Sequence, residues 1–564
     1  MPELRFPHHH TYDELTAYLR EVAAAYPQLA SLSSMGRSHE GRELWVMTLT
    51  HQGTGPHSEK PAYWIDANIH AGEVTGGATA LWTVQHLTSK YGQDDADGRE
   101  VTALLDGHAL YIAPRLSPDG VEAFLTTPLQ VRSSLRPYPF EDEREGLYPH
   151  DIDGDGRILQ MRVSDPKGPW MASKKDPRLL RRRTFADREG DFYQLYPEGL
   201  IREYDGYTVR SAPPQYGLDL NRNFPFEWGP EGQQRGAGPF PMSEPETRAL
   251  AQFFAAHPNI SGVQSYHTYS GVLLRPYAGK SDDDLPPHDL RVYRQIGDVG
   301  TELTGYPHTS VFHGFRYEPK ETLRGGLFDW LYDALGIFAF ANELWDVVAE
   351  AGIGVPDERG IRRRDFIGWL KDHPEEDDLK LLKFNDDEGL GGFESWRPFE
   401  HPQLGSVEIG GWDYKRFWGV APFKFLPDIA ERHTRFTLAH AAASPKLHWK
   451  RTEVHPQGGG LYRVVAVLEN LGYLPTYTSA RAKERQAVQP IRVRVHAPAL
   501  VSGEASQDGG QLEGRSAVGG GFGPTSAEQE RKFEWVVRGE PGDPVRLEAV
   551  GQRAGVARAE VRLG

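Results

Sequence analysis

Apolar residues near the start of the chain repeat first with helical spacing and then with strand spacing. Tyr12 to Tyr26 places them along one face of a predicted helix, whereas Leu44 to Leu49 and Ala62 to Ile69 are apolar runs of strand length. A second helix is predicted over Thr75 to Leu87 and a further strand over Ala109 to Ala113, before a turn at Ser117 to Gly120. Strands that alternate with helices predict an α/β sheet covered on both faces.

The pattern breaks down between residues 126 and 216, which are polar, highly charged and rich in proline. We interpret this segment as a long insertion. Regular spacing resumes at Asp219, and the predicted elements after it are one helix and three strands. They are Glu244 to His257, Gly262 to Tyr266, Val272 to Leu274 and Phe338 to Asn342.

A change of period near Ala439 to Pro445 divides the chain into residues 1–444 and 445–564. Beyond it apolar residues alternate with polar ones, and glycine-rich turns at Gly458 to Gly460 and Gly519 to Gly523 separate the runs. These runs are Tyr462 to Leu468, Ile491 to Val495, Phe533 to Val537, Val545 to Val550 and Val556 to Leu563. Period two with glycine turns predicts a small antiparallel β-sandwich.

Composition narrows the classes of function. The net charge of −16 argues against a nucleic-acid partner, since phosphate binding needs a basic surface. The chain has no cysteine, so any zinc must be held by histidine and carboxylate ligands. No apolar run approaches the roughly 20 residues of a membrane helix, and we expect no membrane partner. The start of the chain lacks the pattern of a signal peptide; we expect a cytoplasmic protein, with secretion left open, and the oligomeric state is open too.

Four short motifs carry candidate chemistry. His70 and Glu73 follow a strand and precede a helix, where two side chains three positions apart can grip one metal ion. Asn221 and Arg222 offer an amide and a guanidinium, which suit a carboxylate. His267 and Glu343 each end a predicted apolar strand. A carboxylate in such a place is costly unless it has a partner or a function.

Taken in this order, the four motifs resemble the carboxypeptidase A-like zinc peptidases, whose pattern is His-x-x-Glu, Asn-Arg, His and Glu. The resemblance covers roughly Tyr12 to Trp345 and extends to flanking segments such as Pro118-Asp119-Gly120 and Gly325 to Trp330. It implies a mixed, twisted sheet with helices on both faces, here followed by the small all-β domain. It also implies a zinc-dependent hydrolase acting on peptides with a free C-terminus.

The resemblance implies a role for each matching residue. His70, Glu73 and His267 would hold one zinc ion per chain, with Asp219 orienting a ligand histidine. Glu343 would be the general base. The residues that would bind the terminal carboxylate are Asn221 and Arg222.

The resemblance is less definite around the substrate. Arg132 would polarise the scissile carbonyl, with Arg136 as the alternative. Glu321 stands where the family carries a substrate-site tyrosine, and Tyr317 is the candidate to replace it. Phe328 would help set side-chain preference and favours a neutral terminal residue. Two nearby arginines, Arg275 and Arg324, leave an acidic one open.

A separate motif, Asp151 to Ile158, has the pattern of a calcium loop. Asp151, Asp153 and Asp155 supply oxygens at positions 1, 3 and 5, and a glycine follows at position 6. Position 12 is Arg162 rather than glutamate. The sequence therefore leaves two interpretations open, a calcium site or an acidic turn that is free of ions or salt-bridged to nearby arginines.

Two other functions stay open on the sequence. Related zinc enzymes that share the His-x-x-Glu motif and the later histidine act as amide deacylases on small N-acyl amino acids. A non-catalytic binding protein that works through the β-sandwich is the other alternative. The complete set of metal and base residues favours the peptidase.

Overall fold

The computed structural model describes residues 2, 4–6, 8–318, 320–517 and 526–564. The predicted turn at Gly519 to Gly523 lies outside the described residues. In the described part of the chain the strands are, in order, β1 (Ala30–Arg37), β2 (Glu43–Leu49), β3 (Ala62–Ala67), β4 (Ala109–Ala113), β5 (Gly146–Pro149), β6 (Gln160–Ser164), β7 (Trp170–Ala172), β8 (Leu180–Arg182), β9 (Phe192–Pro197), β10 (Gly199–Arg202), β11 (Ile260–Thr268), β12 (Val272–Arg275), β13 (His308–Ser310), β14 (Phe338–Leu344), β15 (Val355–Pro356), β16 (Arg362–Arg363), β17 (Phe393–His401), β18 (Gly405–Trp412), β19 (Leu447–Gly458), β20 (Leu461–Asn470), β21 (Ile491–His496), β22 (Ala499–Ser502), β23 (Ser506–Gly510), β24 (Glu530–Arg538), β25 (Pro544–Gly551) and β26 (Gly555–Arg562).

The helices connect these strands and cover the sheets. They are α1 (Tyr12–Ala25), α2 (Val74–Lys90), α3 (Ala96–Gly107), α4 (Pro118–Thr126), α5 (Pro245–Ala256), α6 (Pro287–Thr304), α7 (Val311–Gly314), α8 (Leu327–Leu335), α9 (Val347–Glu350), α10 (Phe366–Lys371), α11 (Glu375–Glu388), α12 (Tyr414–Phe417), α13 (Leu426–Ala442), α14 (Ala480–Glu484) and α15 (Ser526–Gln529). No helix in this part of the chain is long and apolar enough to cross a bilayer.

The central sheet has eight strands in the order β1-β2-β4-β3-β11-β14-β12-β13. The four inner strands β4, β3, β11 and β14 run parallel, whereas β1, β2 and β12 pair antiparallel with their neighbours toward the centre. This mixed sheet confirms the predicted fold class. β3 shows why both faces are covered, because Tyr63 and Ile65 enter one apolar core and Trp64 enters the core on the opposite face.

The turn expected at Ser117 to Gly120 is instead the start of a helix. Ser117 is the residue before α4, and Pro118 occupies the first helical position, where its missing N–H costs nothing. The sequence signals of a turn and of a helix start are therefore the same at this point.

Residues 126–216 contain more regular structure than the sequence indicated. Four strands from this segment join β17 and β18 in a six-stranded sheet of the order β17-β18-β6-β9-β7-β8, and β5 pairs with β10. The strands are three to six residues long. A small core that includes Met161 and Ile409 holds β6 against β18. Strands this short give too few alternations to reveal their period.

The C-terminal residues form two four-stranded sheets, β19-β20-β24-β22 and β23-β21-β25-β26. Alternating side chains from both sheets share one core that includes Val464, Trp535 and Leu547. The predicted β-sandwich is thus present, with three strands, β19, β22 and β23, that the pattern did not reveal. α13 ends at Ala442 and β19 begins at Leu447, although independent folding of residues 1–444 and 445–564 stays a prediction.

Candidate active site

Three adjacent parallel strands bring the candidate metal and base residues to one edge of the central sheet. β11 lies between β3 and β14, and its register places Tyr266 opposite Ala67 and His267 opposite Glu343. Partners in a parallel register project to the same face, so His267 and Glu343 are side by side. The carboxyl ends of such strands form the usual ligand crevice of an α/β sheet.

The loop after β3 supplies the other two metal-site residues. Glu73 accepts from both histidines: its carboxylate oxygens lie 2.8 Å from His70 Nδ1 and 2.9 Å from His267 Nδ1. The two Nδ1 atoms are 3.2 Å apart, and one ligand atom from each residue falls within 4.8 Å of the others. All three side chains are buried. Two imidazoles and one carboxylate that converge in this way fit the donor set of a catalytic zinc site.

Electrostatics supports a cation at this point. Burial alone would raise the pKa of Glu73, but the two neighbouring imidazoles hold it well below its usual range. The same contact acts on His267: burial lowers its pKa, and the opposing effect of Glu73 prevails and raises the pKa to about 9. Glu73 is therefore a buried negative charge that needs a cationic partner.

Close packing fixes the metal-site loop against β11. A Cβ on Gly76, in the first turn of α2, would lie 2.7 Å from the carbonyl oxygen of Tyr266, the residue before His267. Only glycine therefore allows the helix to approach the strand this closely. The backbone N–H of Ala71 also donates to the carbonyl of Arg132 at 2.8 Å, which ties the segment carrying Arg132 to the same loop.

One carboxylate, Asp219, joins several parts of the site. Its Oδ1 lies 3.2 Å from His70 Nε2 and accepts the backbone N–H of Asn221 at 2.9 Å, while its Oδ2 accepts from Arg132 Nε at 3.0 Å. Burial raises the pKa of Asp219, but Arg132 and Arg222 outweigh it and hold the pKa well below its usual range. The ionised Asp219 can orient His70 in the manner common around zinc.

Glu343 lies at the end of β14 with its side chain directed into a small cavity of about 60 Å³. Burial raises the pKa of Glu343 to about 8. A carboxylate that takes up a proton near neutral pH suits general acid–base chemistry.

The cavity has a polar side and an apolar side. The polar side carries, besides His70, His267 and Glu343, the side chains of Arg132, Asn221, Arg222, Tyr317 and Arg324. The apolar side is formed by Leu274, Ala278, Val311, Phe315, Leu323, Phe328 and Ala341. The arrangement can thus bind a charged group at one place and an uncharged side chain at another.

A family model described as Zinc carboxypeptidase (Peptidase_M14) matches residues 15–351, which is more than half of the chain. The chain belongs to the zinc carboxypeptidase family. Together with the converging His70, Glu73 and His267, this match confirms the resemblance and identifies the chain as an enzyme of the metallocarboxypeptidase class with an intact zinc site. A second model, a domain of unknown function (DUF8731), matches residues 446–562.

Individual relatives are distant. Carboxypeptidase A2 of Mus musculus is 25% identical over 389 residues, covering 65% of this chain and 72% of the relative. Carboxypeptidase A1 of Bos taurus is 26% identical over 345 residues, covering 60% of this chain and 62% of the relative. A solved carboxypeptidase A from Helicoverpa armigera is 16% identical, covering 68% of this chain and 74% of that structure, with a TM-score of 0.40.

The structure separates the pairs of residues that the sequence left as alternatives. Arg132 lines the zinc carboxypeptidase cavity, whereas Arg136 forms a two-bond ion pair with the buried Glu244 at 2.6 and 2.8 Å. Tyr317 lines the cavity, and Glu321 is exposed elsewhere.

The two arginines considered for an acidic substrate differ as well. Arg275 is buried and bound through both terminal nitrogens to Asp282 at 2.6 and 2.8 Å, so it has no charge to offer a ligand. Arg324 lines the cavity, and among the described residues its side chain has no ion-pair partner.

Asn221 and Arg222 are held in place by the main chain. Asn221 Oδ1 accepts the backbone N–H of Leu327 at 2.8 Å, which leaves its amide N–H groups for a ligand. A Cβ on Gly325, which has φ 67°, would lie 2.2 Å from the carbonyl oxygen of Arg222. The flanking segment Gly325 to Trp330, which is part of the resemblance, therefore packs directly against the arginine.

Of the apolar residues that line the cavity, the sequence analysis identified only Phe328. A signal for part of it was present, because Ala341 precedes Glu343 by two positions and so projects to the same face. Leu274 in β12 is the register partner of Ala341 and extends that face. Val311, Phe315 and Leu323 come from loops and a short helix, where strand alternation gives no information.

The candidate calcium loop differs from the predicted arrangement. The acidic groups that approach one another are Asp151, Asp153 and the buried Glu198, not Asp155. Arg397 donates to both Asp153 and Asp155 at 2.9 Å. This geometry corresponds to the alternative interpretation, an acidic turn salt-bridged to an arginine.

Proposed function

We propose that this enzyme hydrolyses the last peptide bond of a peptide and releases a C-terminal amino acid with an uncharged side chain. The observation that carries the proposal is the sharing of one small cavity by Arg222, the metal-site histidines and Glu343. A carboxylate bound at Arg222 lies beside the hydrolytic groups, which is what distinguishes an exopeptidase from an endopeptidase.

Recognition of the substrate terminus rests on Asn221 and Arg222. A guanidinium can bind both oxygens of a carboxylate, and the free amide N–H of Asn221 adds a donor. Arg222 Nη1 is itself positioned by the carbonyl of Asn221 at 2.7 Å. An amidated terminus would have no negative charge to pair with this group.

Hydrolysis rests on the residues at the strand ends. A zinc ion held by His70, Glu73 and His267 would lower the pKa of a water molecule and polarise the scissile carbonyl. Glu343 accepts a proton from the attacking water and donates it to the leaving amine nitrogen. Its raised pKa matches this exchange near neutral pH.

Two further side chains contact the substrate in this proposal. Arg132, fixed by Asp219 and lying 3.5 Å from Glu73, stabilises negative charge on the carbonyl oxygen. Tyr317 lines the cavity, and in this proposal it serves in place of the family's substrate-site tyrosine.

The apolar side of the cavity supports a neutral terminal residue. Phe328 and its apolar neighbours offer no acidic group to a basic side chain, since the described carboxylate in the cavity wall is Glu343. Arg275 is committed to Asp282. A terminal aspartate or glutamate would have only Arg324 as a partner, at the cost of removing its charge from water beside the apolar wall.

The direct test compares a peptide ending in -Ala-Leu with the same peptide amidated at its C-terminus. Breaking a fully buried ion pair costs about 3–5 kcal/mol, and Arg222 is only half-buried, so we expect kcat/KM to fall at least about tenfold on amidation. The amidated peptide should be equally poor for wild type and for Arg222→Ala. Equal rates on the acid and the amide in wild type would contradict the proposal, as would faster turnover of small N-acyl amino acids than of peptides.

Calcium at Asp151, Asp153 and Asp155 is not included in the proposal. The contacts of Arg397 with two of these side chains already balance much of their charge. A calcium site there stays a prediction of the sequence alone.

A further inference from the structure

A groove of about 610 Å³ lies beside the active site and is lined by aromatic rings. Its rings include Trp170, Tyr269, Trp369, Trp412, Tyr414 and Trp418. Four of the six, Trp369, Trp412, Tyr414 and Trp418, fall between residues 351 and 446, outside both matched family models. The groove is therefore a feature of this chain that the zinc carboxypeptidase match does not explain.

Tyr269 connects the groove to the hydrolytic site. It follows the candidate metal ligand His267 by two positions, and its ring centroid lies 6.1 Å from that of Trp418. Tyr269 also packs against two apolar clusters, one that contains Trp369, Trp412 and Trp418 of the groove and one that contains Phe315 and Phe328 of the cavity. The phenol of Tyr269 thus lies between the cavity and the groove.

The other rings of the groove cluster around Trp418. Trp418 lies 6.2 Å from Tyr414, with the two rings stacked at 18°, and 6.2 Å from both Trp369 and Trp412. Extended peptide advances by roughly 3.3–3.6 Å per residue, so each ring-to-ring step corresponds to about two residues. A volume of about 610 Å³ also falls in the range of roughly 300–1,000 Å³ that is usual for ligand sites.

Most of the charged side chains that line the groove form ion pairs with neighbouring residues. Arg178 pairs with Asp176 and Asp386, and Arg181 pairs with Asp187. Lys371 pairs with Glu318, and His373 pairs with Asp378.

Two charged residues of the groove lack an ion pair among the residues that the structure describes, and they have opposite signs. They are Arg182, whose guanidinium lies 5.0 Å from the ring of Trp170, and Asp372. The groove therefore offers no net charge to a ligand and favours an uncharged one.

One buried donor in the groove also lacks a partner. The indole N–H of Trp418 has no hydrogen-bond acceptor among the described residues, although Trp418 is only 8% exposed. Buried indole N–H groups are normally paired. A peptide bound against these rings would bring main-chain carbonyls that can accept from this N–H.

We propose that the groove binds the part of the peptide substrate upstream of the scissile bond, with aromatic or other large uncharged side chains against Tyr414, Trp418 and Trp170. The inference rests on the proposed function, because the substrate enters the groove only if its C-terminus occupies the cavity at Arg222. It extends that function from the terminal residue to about four further positions. Stacking on the rings adds binding energy along the length of the substrate.

The test uses three substrates, Ac-Ala-Leu, Ac-Gly-Ala-Ala-Ala-Ala-Leu and Ac-Gly-Tyr-Tyr-Ala-Ala-Leu, with kcat and KM measured for each. We expect wild type to prefer the tyrosine peptide over the alanine peptide by about five- to tenfold in kcat/KM, as aromatic stacking provides. Tyr414→Ala and Trp170→Ala should each remove most of that preference. The change should fall mainly on KM, as expected for binding that is equal in ground and transition states.

Tyr207→Ala is the matched control, since Tyr207 is a 92% exposed tyrosine that does not line the groove. It should keep the wild-type preference. If none of the three acetylated substrates is hydrolysed at its C-terminus, the proposed function fails. If Ac-Ala-Leu is hydrolysed but the two hexapeptides react equally, or if Tyr414→Ala keeps the preference, the groove inference alone is overturned.

Discussion

The substitution Asp219→Asn tests the role of the carboxylate that links the metal site to Arg132 and Asn221. Asp219 contacts His70, Arg132 and the backbone of Asn221 at 2.9 to 3.2 Å. Asparagine keeps the shape and one acceptor oxygen, so the backbone N–H of Asn221 can stay bound. Its amide nitrogen cannot accept from Arg132 Nε, and the negative charge opposite His70 is lost.

The contacts set the expected size of the effect. Loss of a partner behind a ligand histidine weakens metal binding by about 10–100-fold. Loss of a hydrogen bond to a charged group costs about 1.5–3 kcal/mol, which by itself corresponds to about 10–100-fold if Arg132 no longer stabilises the carbonyl oxygen. Because the two effects share one residue they are not additive, and we expect kcat/KM to fall about 10²–10³-fold.

Zinc affinity, measured by competition with a chelator, and kcat/KM on a peptide ending in -Ala-Leu provide the assay. Asp205→Asn is the control, because Asp205 also accepts backbone N–H groups, from Tyr207 and Thr208, in an exposed turn. That variant should match wild type in both measurements. Wild-type zinc affinity in Asp219→Asn would refute the orienting role, and wild-type kcat/KM at saturating zinc would refute the role through Arg132.

Three other predictions follow from single contacts. Glu343→Gln should keep its zinc, measured by metal analysis, and lose turnover by about 10²–10⁴-fold because the base is gone; a variant without zinc would make Glu343 a ligand instead. Burial raises the pKa of Glu246 from 4.5 to about 7, so the folded state prefers the protonated carboxyl. The free energy of unfolding should therefore fall as the pH rises from about 4.5 through 7, by on the order of 3 kcal/mol. Glu246→Gln should reduce this loss in melting temperature between pH 5 and pH 8, and an unchanged pH dependence would contradict the assignment. Millimolar calcium should leave the melting temperature unchanged because Arg397 pairs with Asp153 and Asp155; a rise that Asp153→Ala abolishes would restore the calcium interpretation.

The metal and base residues were predictable because each stands next to a buried strand. His70, Glu73, His267 and Glu343 all follow or end apolar runs, and parallel strands bring their carboxyl ends to one edge. The positions after strands therefore indicated a shared edge, and the resemblance to the zinc carboxypeptidases supplied the metal and base roles. What the order along the chain could not provide was the register, which sets His267 beside Glu343.

Residues held by distant loops were harder to predict. The sequence offered Arg132 and Arg136 at similar positions, and the choice depends on the buried Glu244, which captures Arg136. The aromatic groove was not predicted for a related reason. Apart from Tyr269, its walls come from residues 160–195 and 369–418, which are distant along the chain and are brought together by the pairing of β6 with β18.

The C-terminal β-sandwich is joined to the active site through helix α8. Phe328, near the start of α8, lines the cavity. At the other end of the helix, residues of the C-terminal region 445–564 donate hydrogen bonds to its last carbonyls. Arg553 Nη2 donates to the carbonyl of Leu335 at 2.7 Å, and Ser479 Oγ donates to the carbonyl of Gly336 at 2.7 Å. The final carbonyls of a helix have no partner within the helix, so these contacts complete it.

Arg553 is unusual in making this contact without an acidic partner. It is buried, its pKa is lowered to about 9 by burial, and among the described residues its guanidinium donates only to carbonyl oxygens of Leu335 and Gly336. A charge placed there gains from the negative end of the helix dipole. The sequence boundary near residue 444 therefore separates two architectures. However, Phe328 in the cavity wall belongs to a helix whose end is held by hydrogen bonds from the C-terminal region.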